Sequence, residues 1–172
     1  MFFRDNSHLE EIYRLKKQVA SLSDRLHDLE IKLEQEQRSK KALLLRIKNG
    51  DDISDDCILN NSPYLDLSPE KARKIYNDQD KDFILLDVSS AQYTAPVNLP
   101  EVIKIPLDKL HSEIHRLPGK GKLILVISED GVRSINACKQ LHQYGYYSVS
   151  NISGGYQYWI VSQKNTHQDS AA

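Results

Sequence analysis

Residues 123–144 place an apolar run, a tight loop and a helical pattern directly after one another. The run at 123–127, LILVI, is continuously apolar, which is typical of a strand covered on both faces. The loop at 128–134 contains Gly131, and the helical pattern follows from Ile135. A strand, loop and helix in this order favour a parallel α/β sheet, in which ligands bind beyond the carboxyl ends of the strands.

The loop after this strand has the features of an anion-binding cradle. Its backbone N–H groups and the positive end of the following helix dipole point to the same place. Gly131 permits a tight turn, and the guanidinium of Arg133 is able to reach over a bound oxyanion. The predicted anion-binding loop consists of Ser128, Glu129, Asp130, Gly131, Val132, Arg133 and Ser134.

Apolar runs and helical patterns alternate from residue 64 onwards. The predicted strands are 64–67, 83–88, 102–105, 122–127 and 147–152. The predicted helices are 69–77, 107–117, 134–144 and 155–161. This alternation predicts an α/β fold with a five-stranded parallel sheet flanked by helices. Asp87 ends the second of these strands, so we expect it to support the loop, in a structural rather than a catalytic role.

The first 48 residues contain neither Gly nor Pro and carry a seven-residue apolar repeat. The pattern is interrupted at Glu36 and Lys40 and resumes at Leu43 and Ile47. Such a repeat predicts a coiled coil, here a parallel homodimer through residues 8–47, because β-branched residues occupy the first two a positions. The alternative is an amphipathic helix packed on its own domain. The a positions are Ile12, Val19, Leu26 and Leu33, and the d positions are Leu15, Leu22 and Leu29.

We expect the chain to comprise four segments. Residues 1–48 form the coiled-coil helix and 49–63 an acidic linker of limited order. Residues 64–163 form the α/β domain, and the polar tail at 164–172 is expected to be disordered.

Charge and composition exclude several classes of protein. A formal net charge of −1 favours neither nucleic acid nor an anionic membrane as a partner. No apolar run approaches the roughly 18 residues of a membrane span, and the N-terminus has no signal-peptide core. We therefore expect a cytoplasmic protein without a membrane partner.

The cysteines and histidines predict no metal site and no cofactor. Cys57 and Cys138 form no C-x-x-C pair, and we expect Cys57 to be exposed in the linker and Cys138 to be a buried apolar residue. His111 and His115 lie four residues apart on a predicted helix, but they lack a third ligand.

Three short stretches resemble the motifs of rhodanese-like domains. SEDGVRS at 128–134 is similar to the family's active loop C-x-x-G-x-R-S, and LLDV at 85–88 resembles the strand before its D-V-R signature. NISGGYQYW at 151–159 resembles the closing n-l-x-G-G-x-x-x-W. The resemblance covers about residues 64–160 and implies the rhodanese-like fold. It also implies a site at which sulfane sulfur passes through a cysteine persulfide.

The sequence departs from the family at the residues that this chemistry needs. Ser128 stands at the position of the catalytic cysteine, Ser89 at that of the arginine in D-V-R, and residues 95–100 differ from G-H-I-x-G-A. A serine cannot hold a persulfide, so no catalytic residue is expected. We predict a catalytically inactive module that binds a protein partner or a small oxyanion. The alternatives are an active thiosulfate or persulfide sulfurtransferase, using another cysteine or carrying Ser128 as an engineered replacement, and an adaptor whose coiled coil binds a different protein.

Overall fold

The computed structural model describes residues 5–48, 50, 53, 55–59 and 62–159. The chain divides into two compact units, Met1–Lys40 and Lys41–Ala172. The predicted tail lies outside the described residues, as do several residues of the predicted acidic linker. The predicted domain boundaries therefore stay predictions.

The described residues of the first unit belong to a single long helix that continues into the second. This helix, α1, runs Asp5–Lys48, as the absence of Gly and Pro predicts. Within the second unit, the buried side chain of Arg46 donates a hydrogen bond from Nη2 to Ser150 Oγ at 3.1 Å. The last turn of α1 is therefore attached to the sheet. No helix in the described part of the chain has the length and apolar character needed to cross a bilayer.

The second unit is built on a sheet of five parallel strands in the order β1-β5-β4-β2-β3. The predicted five-stranded parallel sheet is confirmed. Asp87 lies beside Ile127 in the register of β2 and β4, so the residues that follow these two strands meet at one edge of the sheet. The strands are β1 (Leu65–Leu67), β2 (Phe83–Asp87), β3 (Val102–Lys104), β4 (Leu123–Ile127) and β5 (Val149–Ile152).

Helices cover both faces of this sheet. Along β2 and β4 successive side chains alternate between two cores, because neighbouring residues of a strand point to opposite faces. One core packs against α4 (Leu110–Glu113) and α5 (Val132–Gln143), and the other against α3 (Pro69–Asn77) and a helix α6 at residues 155–159. A short helix, α2 (Asp55–Leu59), lies within the predicted linker.

Two helix boundaries follow directly from local sequence. Ser68 caps α3, where its Oγ accepts a hydrogen bond from Lys71 N at 3.3 Å and Pro69 occupies the first turn. After α5, Gly145 adopts a φ of +86° and its N–H donates to His142 O at 2.9 Å. Both helix ends are therefore determined by residues that lie next to them in the sequence.

The prediction of one continuous helix at 107–117 is wrong. Two 3₁₀ turns, Leu107–Lys109 and Ile114–Arg116, flank the short α4. A 3₁₀ turn brings residues three positions apart onto the same side. Leu107 with Leu110, and Ile114 with Leu117, thereby reach one core. The apolar spacing fits this arrangement as well as it fits a regular helix.

Candidate functional site

Ser128 follows β4 at the carboxyl edge of the sheet and is completely buried. Its carbonyl accepts a hydrogen bond from Tyr156 N at 2.9 Å, which ties the loop to the first turn of α6. Because β2 ends beside β4, Asp87 lies at the same edge. The sequence prediction of one common location for these residues agrees with the fold.

Three glycines allow the loop and α6 to approach each other. A Cβ on Gly155 would lie 2.0 Å from Ser128 O, and one on Gly131 would lie 2.9 Å from Gly154 N. Gly131 also adopts a φ of +93° immediately before α5. These backbone contacts leave no room for a side chain, so the loop conformation depends on glycine at these positions.

The Ser128 hydroxyl occupies the centre of the loop. Its Oγ accepts hydrogen bonds from Gly131 N at 3.1 Å and Ser134 N at 3.2 Å. It donates to Ser134 Oγ at 3.2 Å, and the Ser134 hydroxyl donates to Gly131 O at 2.9 Å. The backbone N–H groups that would stabilise a thiolate therefore converge on an alcohol oxygen.

A serine becomes a useful nucleophile when a neighbouring base takes its proton. In the described part of the chain, the hydrogen-bond partners of Ser128 Oγ are two backbone amides and the Ser134 hydroxyl. The Ser134 hydroxyl donates a hydrogen bond to the carbonyl of Gly131 and does not serve as that base. The arrangement holds Ser128 in place without activating it.

Glu129 places a carboxylate beside the cation of the loop. Its Oε1 accepts a hydrogen bond from Ser90 N at 2.7 Å and lies 3.7 Å from Arg133 Nε. Arg133 Nη1 lies 3.6 Å from Asp108 Oδ1 on its other side. The guanidinium is thus flanked by two carboxylates of the chain itself, and these compete with an external anion.

Asp130 uses another backbone amide of the loop. Its Oδ1 accepts a hydrogen bond from Val132 N at 3.0 Å. Together with the two amides bonded to Ser128, the N–H groups of Gly131, Val132 and Ser134 have acceptors within the loop. To bind at the loop, an oxyanion would have to replace the chain's own oxygen atoms as the acceptor of these three N–H groups.

Asp87 connects the end of β2 to α6. The buried carboxylate accepts hydrogen bonds from Ser89 N at 2.9 Å and from the Tyr156 hydroxyl at 3.2 Å. Burial, and then the adjacent Asp87 carboxylate, raise the pKa of Tyr156. The ring centroid of Tyr93 lies 5.8 Å from that of Tyr156, and burial also raises the pKa of Tyr93. Asp87 therefore joins the end of β2 to the residues that follow it and to α6.

Neither of the two cysteines is part of this loop. The predicted exposure of Cys57 is wrong, because its side chain is 7% exposed and its Sγ donates to Tyr64 O at 3.7 Å. Cys138 is completely buried, as predicted. Burial raises the pKa of both thiols, that of Cys138 strongly. Neither is set up as the thiolate that sulfur transfer needs.

The predicted histidine pair has other contacts. His111 Nδ1 lies 2.6 Å from the Tyr144 hydroxyl, and His115 Nδ1 lies 3.1 Å from Ser112 O. Among the described residues, no group of three or more His, Cys, Asp or Glu side chains is arranged to hold a metal ion.

Sequence reasoning missed several residues that contact the loop, among them Ser90, Asp108 and Tyr156. Ser90 donates a hydrogen bond to Glu129, and Asp108 lies beside Arg133. Both come from distant parts of the chain, and no local sequence pattern predicts these contacts. Tyr156 directly follows the Gly154-Gly155 pair, so its position in the closing motif was an available signal.

Comparison with known families identifies the family and its fold. A model of the rhodanese-like domain matches residues 68–162, more than half of the chain. The chain belongs to the rhodanese-like family. Two relatives of this rhodanese-like protein carry sulfurtransferase names. A sulfurtransferase of Allochromatium vinosum is 28% identical over 79 residues, which cover 46% of this chain and 73% of the relative. YtwF of Bacillus subtilis, provisionally named a sulfurtransferase, is 29% identical over 82 residues, covering 48% and 78%.

A solved structure supports the rhodanese-like fold. The solution structure of the rhodanese-like domain from the Anabaena protein Alr3790 aligns with a TM-score of 0.51 at 18% identity. The alignment covers 58% of this chain and 74% of that domain. At this identity the likeness concerns the fold alone.

Proposed function

We propose that this rhodanese-like protein transfers no sulfur and acts as a binding module for a protein partner, paired with a second copy through residues 8–47 of α1. The observation that carries the proposal is the buried Ser128 hydroxyl at the centre of the loop. An oxygen at this position cannot form the persulfide of a sulfurtransferase.

The two cysteine thiols give little support to a sulfurtransferase activity. A sulfur carrier must be accessible and ionised, whereas Cys57 and Cys138 are buried and their pKa values are raised. The sulfurtransferase names of the relatives favour a second candidate, an active sulfurtransferase. That activity requires a thiol which this loop lacks.

Binding of a small oxyanion at the loop is the less favoured form of the proposal. Arg133 already has two carboxylates within 4 Å, at 3.7 Å from Glu129 and 3.6 Å from Asp108. Three loop amides are bonded internally. An anion would have to displace these contacts, so we favour a protein as the ligand.

Apolar side chains at the rim of the loop support a protein partner. Val132 is 59% exposed at the start of α5, and Tyr158 is 57% exposed on α6. The Tyr158 ring lies against Gly154, whose backbone is in contact range of Gly131. Exposed aliphatic and aromatic groups beside a charged loop are typical of a protein contact surface. The partner itself and the cytoplasmic location remain predictions.

The test is thiosulfate:cyanide sulfur transfer by the full chain and by the variant Ser128→Cys, with Ser128→Ala as the matched control. We expect the unaltered chain and Ser128→Ala to be inactive and Ser128→Cys to gain turnover, because the loop amides would stabilise its thiolate. Turnover by the unaltered chain would overturn the proposal, and its loss in Cys57→Ser or Cys138→Ala would then identify the carrier.

A further inference from the structure

The apolar repeat of α1 is exposed between residues 12 and 33. The seven a and d side chains between residues 12 and 33 are between 49% and 65% exposed. A stripe of this kind on a single helix is stabilised by a second helix that supplies matching holes for its side chains. The proposed function already gives that partner as a second copy of this chain, and the inference below rests on it.

The stripe carries one pair of opposite charges. Glu36 stands at a d position and Lys40 at the following a position, both exposed on α1. In a parallel, in-register coiled coil the d side chain packs into a hole that includes the next a residue of the facing helix. Glu36 of each copy then lies beside Glu36 and Lys40 of the other, so two carboxylates and two ammonium groups form one cluster without net charge.

We propose that this pair of charges makes two copies of α1 associate in parallel and in register. A slip of one heptad would put Glu36 of one copy against Leu29 and Leu33 of the other. It would also leave one Lys40 without a carboxylate. A charge enclosed by apolar side chains without a partner is strongly unfavourable, so the slipped alignment is disfavoured.

An antiparallel pair meets a different obstacle. To keep Glu36 opposite Lys40, it must be centred on residue 38. Since α1 ends at Lys48, residues before about 28 would then extend beyond the partner. The apolar positions from Ile12 to Leu26 would stay in water, at about 25 cal/mol for each Å² of apolar surface left exposed.

Charges beside the stripe agree with the parallel alignment. A g residue faces the e residue five positions later in the partner helix. In register, Glu11 faces Lys16, and Arg25 faces Glu30. Gln18 faces Ser23 and Lys32 faces Gln37, so no g–e pair between residues 11 and 37 has like charges.

Orientation is tested by disulfide formation in the full chain. Leu15→Cys, in a Cys57→Ser background, should form a disulfide between copies under mild oxidation, since d positions meet in the parallel, in-register pair. Arg14→Cys, at an outer c position, is the matched control and should not. A dimer by light scattering that forms no disulfide through Leu15→Cys overturns the proposal and leaves the dimer intact. A monomer at all concentrations overturns the dimer itself.

The role of the charge pair is tested by reversal. Glu36→Lys should weaken the dimer about tenfold in Kd, because each copy then brings like charges together. Adding Lys40→Glu should restore the affinity and the Leu15→Cys disulfide, since the pair is rebuilt with the signs exchanged. Equal affinity of Glu36→Lys and the unaltered chain would overturn the role assigned to the pair.

Discussion

At the scale of single residues, Glu129 determines the charge that the loop presents. Its carboxylate joins Ser90 N and Arg133, which are remote from each other in sequence. The sequence predicts a loop at residues 128–134 because these residues are neighbours in the chain, and their role in anion binding stays a prediction. It cannot predict that Ser90 is the donor to Glu129, since that contact depends on how two segments pack.

We expect Glu129→Gln to increase the affinity of the loop for sulfate by about tenfold, because the neutral amide removes one carboxylate from beside Arg133. Asp130→Asn is the control, since among the described residues the ion pairs of Arg133 are with Asp108 and Glu129, whereas Asp130 Oδ1 bonds to Val132 N. The measurement is the rise in Tm with sulfate, compared with sodium chloride at equal ionic strength. Identical responses of the two variants would contradict the competition between Glu129 and an anion.

At the scale of elements, apolar continuity predicts strands well and boundaries of short helices poorly. β2 and β4 follow from uninterrupted apolar runs, because both faces of the sheet are covered. The segment 107–117 satisfies helical and 3₁₀ spacing equally, so the sequence does not separate them. The burial of Cys57 depends on packing near Tyr64, which its acidic neighbours do not reveal.

The contact between α6 and the loop gives a prediction at this scale. Gly155→Ala should lower the free energy of unfolding by at least about 2 kcal/mol, because its Cβ would meet Ser128 O and its φ is +55°. Gly119→Ala, with no atom within 4 Å of the added Cβ, should have little effect. Urea unfolding of both variants measures this free energy. Equal stability of the two variants would contradict the prediction and show that α6 moves away from the loop without cost.

At the scale of the molecule, buried and half-buried tyrosine hydroxyls and cysteine thiols make the stability of the fold depend on alkaline pH. Burial is the main cause of a raised pKa for each group in this set. The unfolded chain therefore releases these protons at a lower pH than the folded one. Stability is fully present below the ordinary pKa values of 9.0 for Cys and 10.0 for Tyr, and it falls as pH rises above them. The groups are Cys57, Tyr64, Tyr76, Tyr93, Cys138, Tyr146 and Tyr156.

Thermal unfolding between pH 7 and pH 10.5 tests whether stability falls as pH rises. We expect Tm to fall steadily above about pH 9 and Tyr156→Phe to reduce the slope, since that variant removes one of the groups. Tyr13→Phe, on the exposed surface of α1, should leave the slope unchanged. A Tm that rises with pH in this range would contradict the linkage.

The two edges of the sheet have a consequence for the protein at high concentration. The edge strands β1 and β3 are each three residues long, and each carries an exposed charged residue, Asp66 and Lys104. Short, charged edges offer few free backbone groups for another strand to join. Many copies should therefore coexist in a crowded solution without growing into β-linked aggregates.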